Sequence, residues 1–165
     1  MKRRTFIKKN AIVTLAPFIT TGLLARNKKI KSLSEKPFQL NYAPHFGMFE
    51  SMAGKDLMDQ VQFMHDQGFR SLEDNGMKNK SKKTQNDIAK KMEKLGMSMG
   101  VFVGHKIYWK EPNLTSGDKS LQDEFVENIR DSVEVAKRVN ATWMTIVPGH
   151  IDLKKEMDYQ TANVI

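Results

Sequence analysis

Three of the chain's four histidines, His45, His105 and His150, stand at the ends of apolar runs, and a further run opens onto Glu73-Asp74-Asn75-Gly76. Imidazole and carboxylate groups move protons near neutral pH, and together with carboxamides they hold hydroxyl groups. If the runs are parallel strands, their C-terminal ends lie on one face, and the loops there build a site. His65, between Met64 and Asp66 in a helical stretch, reads as an ordinary surface or boundary residue. The sequence has no cysteine, which removes disulfides, thiolate metal sites and a lipidated cysteine.

The stretch 84–105, TQNDIAKKMEKLGMSMGVFVGH, shows how such ends are positioned. Thr84 and Asp87 form a capping-box pattern. Ile88, Ala89, Met92 and Leu95 recur at helical spacing, and Gly96 suits the left-handed turn that stops a helix. The run 97–103 is apolar on both faces, as a parallel strand covered by helices is, and it closes on Gly104-His105. The same layout precedes it, with a stripe of Leu57, Met58, Val61 and Met64, a stop at Gly68, and then FRSLEDNG. It also follows, with Leu121, Phe125, Ile129, Val133 and Ala136, then Asn140 in the glycine's place, then ATWMTIVPGH. Ser120 and Asp123 form the capping pattern of that helix. With a first strand over 37–45, a first helix over 55–67 and a last helix starting near 158, the chain predicts an α/β fold. Its four strands, ending near 45, 73, 103 and 147, would be successive units of one parallel sheet.

The formal charge of +8 is unevenly placed: residues 1–36 hold ten Lys/Arg and one acid, whereas 37–165 hold 17 and 18. The body is electrically balanced, which argues against a nucleic-acid partner, and the lysines of 78–83 read as a solvated loop. The basic excess belongs to a leader. Its apolar core, 11–25, has 15 residues, short of the ~20 that span a bilayer. Basic start, short apolar core and a small residue near its end give the layout of an export signal. Within it, Arg3-Arg4-Thr5-Phe6-Ile7-Lys8 resembles the twin-arginine (Tat) motif of bacterial export, with Ile for Leu. The expectation is a twin-arginine signal peptide over 1–25, a polar linker over 26–36 and the fold over 37–165. The Tat translocase would deliver the folded protein to the periplasm, membrane-anchored if cleavage after Ala25 fails, because Leu23 fits the −3 position poorly.

FQLNYAPHFGMF, GFRSLEDNG, LGMSMGVFVGH and NATWMTIVPGHID together resemble the first four strands of the xylose isomerase-like TIM barrels, most closely the hydroxypyruvate isomerase group. The resemblance covers essentially all of 37–165 and implies the N-terminal half, four βα units, of a (β/α)8 barrel. It further implies aldose–ketose isomerisation of a sugar or hydroxy-keto acid, with a divalent metal (Mg, Mn or Zn) held by carboxylates and a histidine on later strands. No position here aligns with those ligands, so the metal and catalytic residues do not carry over. What carries over is the substrate-side wall, with Asn41, His45, Glu73, His105 and His150 as candidate substrate-binding residues. Glu73 followed by Asp-Asn-Gly and the long 108–117 loop depart from the family pattern.

Two other readings stand beside the isomerase. One is a metal-dependent phosphodiesterase related to the endonuclease IV group, against which the balanced body and the leader both argue. The other is a truncated, inactive fragment or a half-barrel binding module that self-associates through exposed sheet edges. For individual residues, His105 and His150 could instead cap loop carbonyls, and Glu73 could pair with a lysine at the rim.

Overall fold

The computed structural model describes residues 36–165. The expected twin-arginine motif (Arg3, Arg4, Phe6, Ile7, Lys8), the expected signal peptide and the expected linker up to residue 35 lie outside the described residues. Contacts divide the chain into 1–31 and 32–165, and the second unit holds every described element. Among the described residues no helix is long and apolar enough to cross a membrane.

Five α-helices are described: α1 (Glu50–Ala53), α2 (Leu57–Asp66), α3 (Lys82–Lys94), α4 (Lys119–Val139) and α5 (Met157–Ala162). Two of them begin earlier than their apolar stripes suggest, because the caps sit upstream. In α3 the Ser81 hydroxyl accepts from the Thr84 amide at 3.1 Å, so Thr84 lies inside the first turn and is not the cap. In α4 Asp118 is the cap, accepting from both the amide and the hydroxyl of Ser120 at 2.8 and 2.7 Å. Each supplies an acceptor to amides that have no partner within the helix. The stops fall where the sequence puts them. Gly96 has φ +64° after α3, and Asn140 takes the left-handed conformation at φ 53° after α4, which the short side chain of asparagine tolerates.

The regular sheet is short: β1 (Ser71–Leu72) runs parallel to β2 (Ser98–Met99). Single parallel bridges extend it on both sides, His45 to Glu73 and Val103 to Thr145. The four strand segments expected from the sequence therefore lie in chain order, each parallel to the next. Among the described residues no closed barrel is present.

One face of this ribbon carries the core. Leu72, Met99 and Phe102 are buried against Val61, Met64, Ile88, Met92, Val135 and Val139 of α2, α3 and α4. Near the end of β2 the ladder slips by one residue. The Ser98 and Gly100 amides donate to Arg70 and Leu72, but the Asp74 amide donates to Val101 where a regular ladder would use Gly100. Such a bulge leaves one residue unpaired and re-aims those that follow. Phe102 thus stays on the helix side while Val101 and Val103 face the other way, so the nearly unbroken apolar run 97–103 is not buried evenly on both faces. A side chain at Gly100 would stand 3.2 Å from the Glu73 Cβ and 3.3 Å from the Leu72 carbonyl; only glycine fits this approach without displacement.

Candidate functional site

The face away from the helices opens, at the C-terminal ends of the strand segments, into a cleft of about 910 Å³. Glu73 and Asn75 come from the end of β1, and Val103 and His105 from the end of the β2 segment. Lys78 comes from the short 3-10 turn Met77–Asn79, and Trp109 from the loop beyond His105.

Glu73 pairs with His45, Nε2 to Oε1 at 2.6 Å, and not with a lysine; both side chains are partly exposed. The pair is set by the backbone, since Glu73 and His45 are bridge partners and the Glu73 amide donates to the Pro44 carbonyl at 3.2 Å. The neighbouring carboxylate, Asp74, turns away from this pair and meets Lys80 at 2.9 Å. Lys78 reaches into the wall, donating to the Asn128 carbonyl at 2.7 Å, the Asn128 side-chain oxygen at 2.8 Å and the Gly104 carbonyl at 3.3 Å. Burial lowers the pKa of its ammonium, and Asp131 opposes the shift.

Of the expected substrate-binding residues, Glu73 and His105 line this cleft, whereas Asn41, His45 and His150 do not. His105 lines it, but its ring is committed to the backbone. Nε2 accepts from the Val147 amide at 2.8 Å, which leaves Nδ1 as the protonated nitrogen, 2.8 Å from the Lys106 carbonyl. It therefore ties the third segment to the fourth and is 5% exposed. Asn41 lies further back along the ribbon, accepting from the Ser71 hydroxyl at 2.8 Å, which in turn meets Ser98 at 2.6 Å. His150 borders a separate shallow depression with Lys110 and Asp152, so the expectation of one shared concavity fails for it. Its carbonyl is fixed by the Thr115 hydroxyl at 2.5 Å, beyond the turn at Gly149 (φ +99°).

The sequence reading overlooked a recurrent device. Each of the four longer helices carries glutamine as its fourth residue: Gln60 in α2, Gln85 in α3, Gln122 in α4 and Gln160 in α5. Three of them are almost wholly buried and clasp the loop that enters their own helix. Gln60 accepts from the Gly47 amide at 2.8 Å and donates to the Gly54 carbonyl at 3.0 Å. Gln85 donates to the carbonyls of Met77 and Lys80 at 2.9 and 3.0 Å, and Arg138 donates to its oxygen. Gln160 spans the Asp152 amide and the Asp152 and Lys155 carbonyls at 2.7–3.0 Å. Gln122 differs, donating to the distant Asn163 carbonyl at 3.3 Å. The signal lay in the sequence as a capping residue followed four positions later by glutamine, at Asp56, Ser81 and Asp118; Glu156 holds the same place before α5 but makes no cap bond.

Among the described residues no three His, Asp or Glu side chains converge to hold a metal ion. His45 and Glu73 offer two donors already turned on each other, which does not make the site of a divalent cation. The chain matches no protein-family model, no curated protein and no solved structure.

Proposed function

We propose that this chain supplies the substrate-holding wall of a sugar or hydroxy-keto-acid isomerase of the xylose isomerase-like class, four βα units of a barrel. The observation that carries the reading is Glu73, which lines a cleft formed by the C-terminal ends of parallel segments and pairs there with His45 behind it at 2.6 Å. Glu73 accepts from Nε2–H and so fixes the tautomer and orientation of the imidazole. Nδ1 then becomes the basic nitrogen, able to take a hydroxyl proton. Asn75 and Asn79 on the same wall offer donors and acceptors to further hydroxyls. In aldose–ketose isomerisation a proton or hydride moves between adjacent carbons while the flanking hydroxyls are held, and holding them is the task suited to these residues. Among the described residues no donor set fits the divalent metal associated with such chemistry.

The test is binding to the purified chain by calorimetry and saturation-transfer NMR, with hydroxypyruvate and D-fructose as probes. His45→Ala and Glu73→Gln should each weaken a bound probe by about tenfold, the loss of one charge-assisted hydrogen bond. Equal binding by both variants would remove His45 and Glu73 from the site. A half-barrel module that self-associates is favoured by one observation of its own: Leu40 and Tyr42 on one edge segment, and Trp143 and Ile146 on the other, are largely exposed. Exposed edges of this kind pair with other chains. A dimer or larger species in light scattering supports that reading, and a monomer at all concentrations rejects it.

A further inference from the structure

We propose that segment 106–112 is a lid that swings Trp109 across the cleft and lays its indole on the apolar C–H face of a bound polyhydroxylated ligand. The ligand class rests on the functional reading above; the mobility does not.

The mobility follows from what holds each loop. The loops entering α2, α3 and α5 are clasped by Gln60, Gln85 and Gln160. The 74–80 loop also closes on itself through the Met77, Asn79 and Lys80 amides. The loop entering α4 lacks this device, because Gln122 bonds Asn163 instead. Among the described residues, the backbone of 107–112 exchanges no hydrogen bond at all. Both ends are pinned, at buried His105 on one side and at Asn113, 2% exposed, on the other. A six-residue arch held at both ends and free between them can move its tip by up to roughly 10 Å, three residues of chain. Few buried contacts and unbonded backbone mark the segments that open most easily.

One latch restrains the arch. The Tyr108 hydroxyl donates to Glu124 at 2.6 Å and receives from Lys106 at 2.7 Å, whose ammonium also lies 4.3 Å from the Tyr108 ring centroid. These bonds raise the pKa of Lys106 and lower that of Glu124. Trp109 is the next residue, 72% exposed although it borders the cleft. An indole is costly to leave in water, and it gains most from a ligand with one apolar face and a hydroxylated edge.

Hydrogen exchange of the full, unmodified chain, free and with D-fructose or hydroxypyruvate, tests the proposal. Amides of 107–111 should exchange at least ~100-fold faster than those of 76–80 in the free chain and slow by ~10-fold or more with bound probe. In Trp143→Phe, which leaves Trp109 as the single tryptophan, the probe should shift emission to the blue and reduce acrylamide quenching. Tyr108→Phe should open the latch and tighten probe binding several-fold, since the closed state becomes more populated. Exchange of 107–111 as slow as that of 76–80 overturns the lid, as does a probe that binds with Trp109 unchanged. Failure of both probes to bind overturns the functional reading and the ligand class, and the exchange contrast in the free chain then decides the lid alone.

Discussion

Replacing Gln85 by alanine tests whether the glutamine clasps hold the rim of the cleft. Gln85 is 2% exposed. Its amide nitrogen makes two well-formed bonds, to the Met77 and Lys80 carbonyls, and a marginal third to Lys78 at 3.5 Å. Alanine leaves the Lys80 carbonyl without its donor, at about 1–3 kcal/mol, and the Met77 carbonyl with the Lys80 amide alone, at about 0.5–1.5 kcal/mol. Arg138 loses its acceptor but is near enough to solvent to find water. The sum is about 1.5–4.5 kcal/mol, a large part of the ~5–15 kcal/mol by which a domain is stable. At ~2–4 °C per kcal/mol for a chain of this size, the melting point should fall by roughly 3–18 °C. Gln122→Ala removes a single long bond in a half-open position and should cost about 0.5 kcal/mol. Circular dichroism melts and urea titrations of both variants give the comparison. Equal losses at the two positions would refute the claim that the clasp, and not helix propensity or side-chain volume, is what the glutamine contributes. Gln85→Glu, which sets a carboxylate against carbonyl oxygens, should be worse than alanine at pH 7 and recover part of the difference as the group protonates.

Gly100→Ala should cost about 1–3 kcal/mol by overpacking and move Glu73, so probe binding falls together with stability in urea titration and calorimetry; a fully stable variant with intact binding contradicts the bulge. The Ser120 hydroxyl and amide hold the Asp118 carboxyl below the usual range. Its contribution to α4 is therefore complete above about pH 4 and lost as pH falls through the lower folded value; Asp118→Asn should flatten that part of the pH dependence of helicity. For the leader, changing Arg3 and Arg4 together to Lys should trap the precursor in the cytoplasm, seen by fractionation, and normal export of the double variant rejects a twin-arginine route.

The stops at Gly96 and Asn140, the apolar stripes of α2 and α3, and the order of four strand segments were legible in the sequence. Each is a local property: a left-handed residue, a helical period, a run of strand length. In α4 the buried face is Ser132, Val135 and Val139, while Val133 of the expected stripe is exposed. The uneven charge was legible as well, because it needs only counting. The caps at Ser81 and Asp118 were misplaced by two or three residues, since several hydroxyls and carboxylates in a row can all serve and only the backbone path selects one. Which polar residues meet was decided by tertiary structure. His45, Glu73, His105 and His150 look alike on paper, each a polar group at the end of an apolar run. In the fold, His45 and Glu73 turn onto each other, because their backbones are bridge partners. His105 is spent on the Val147 amide, because the neighbouring segment needs an acceptor there. His150 lies beyond the turn at Gly149 and opens elsewhere. The one-residue slip at Gly100–Val101, which decides the side on which Val101 and Val103 stand, has no mark in sequence beyond a glycine, since register is fixed by the partner strand and not by the strand itself.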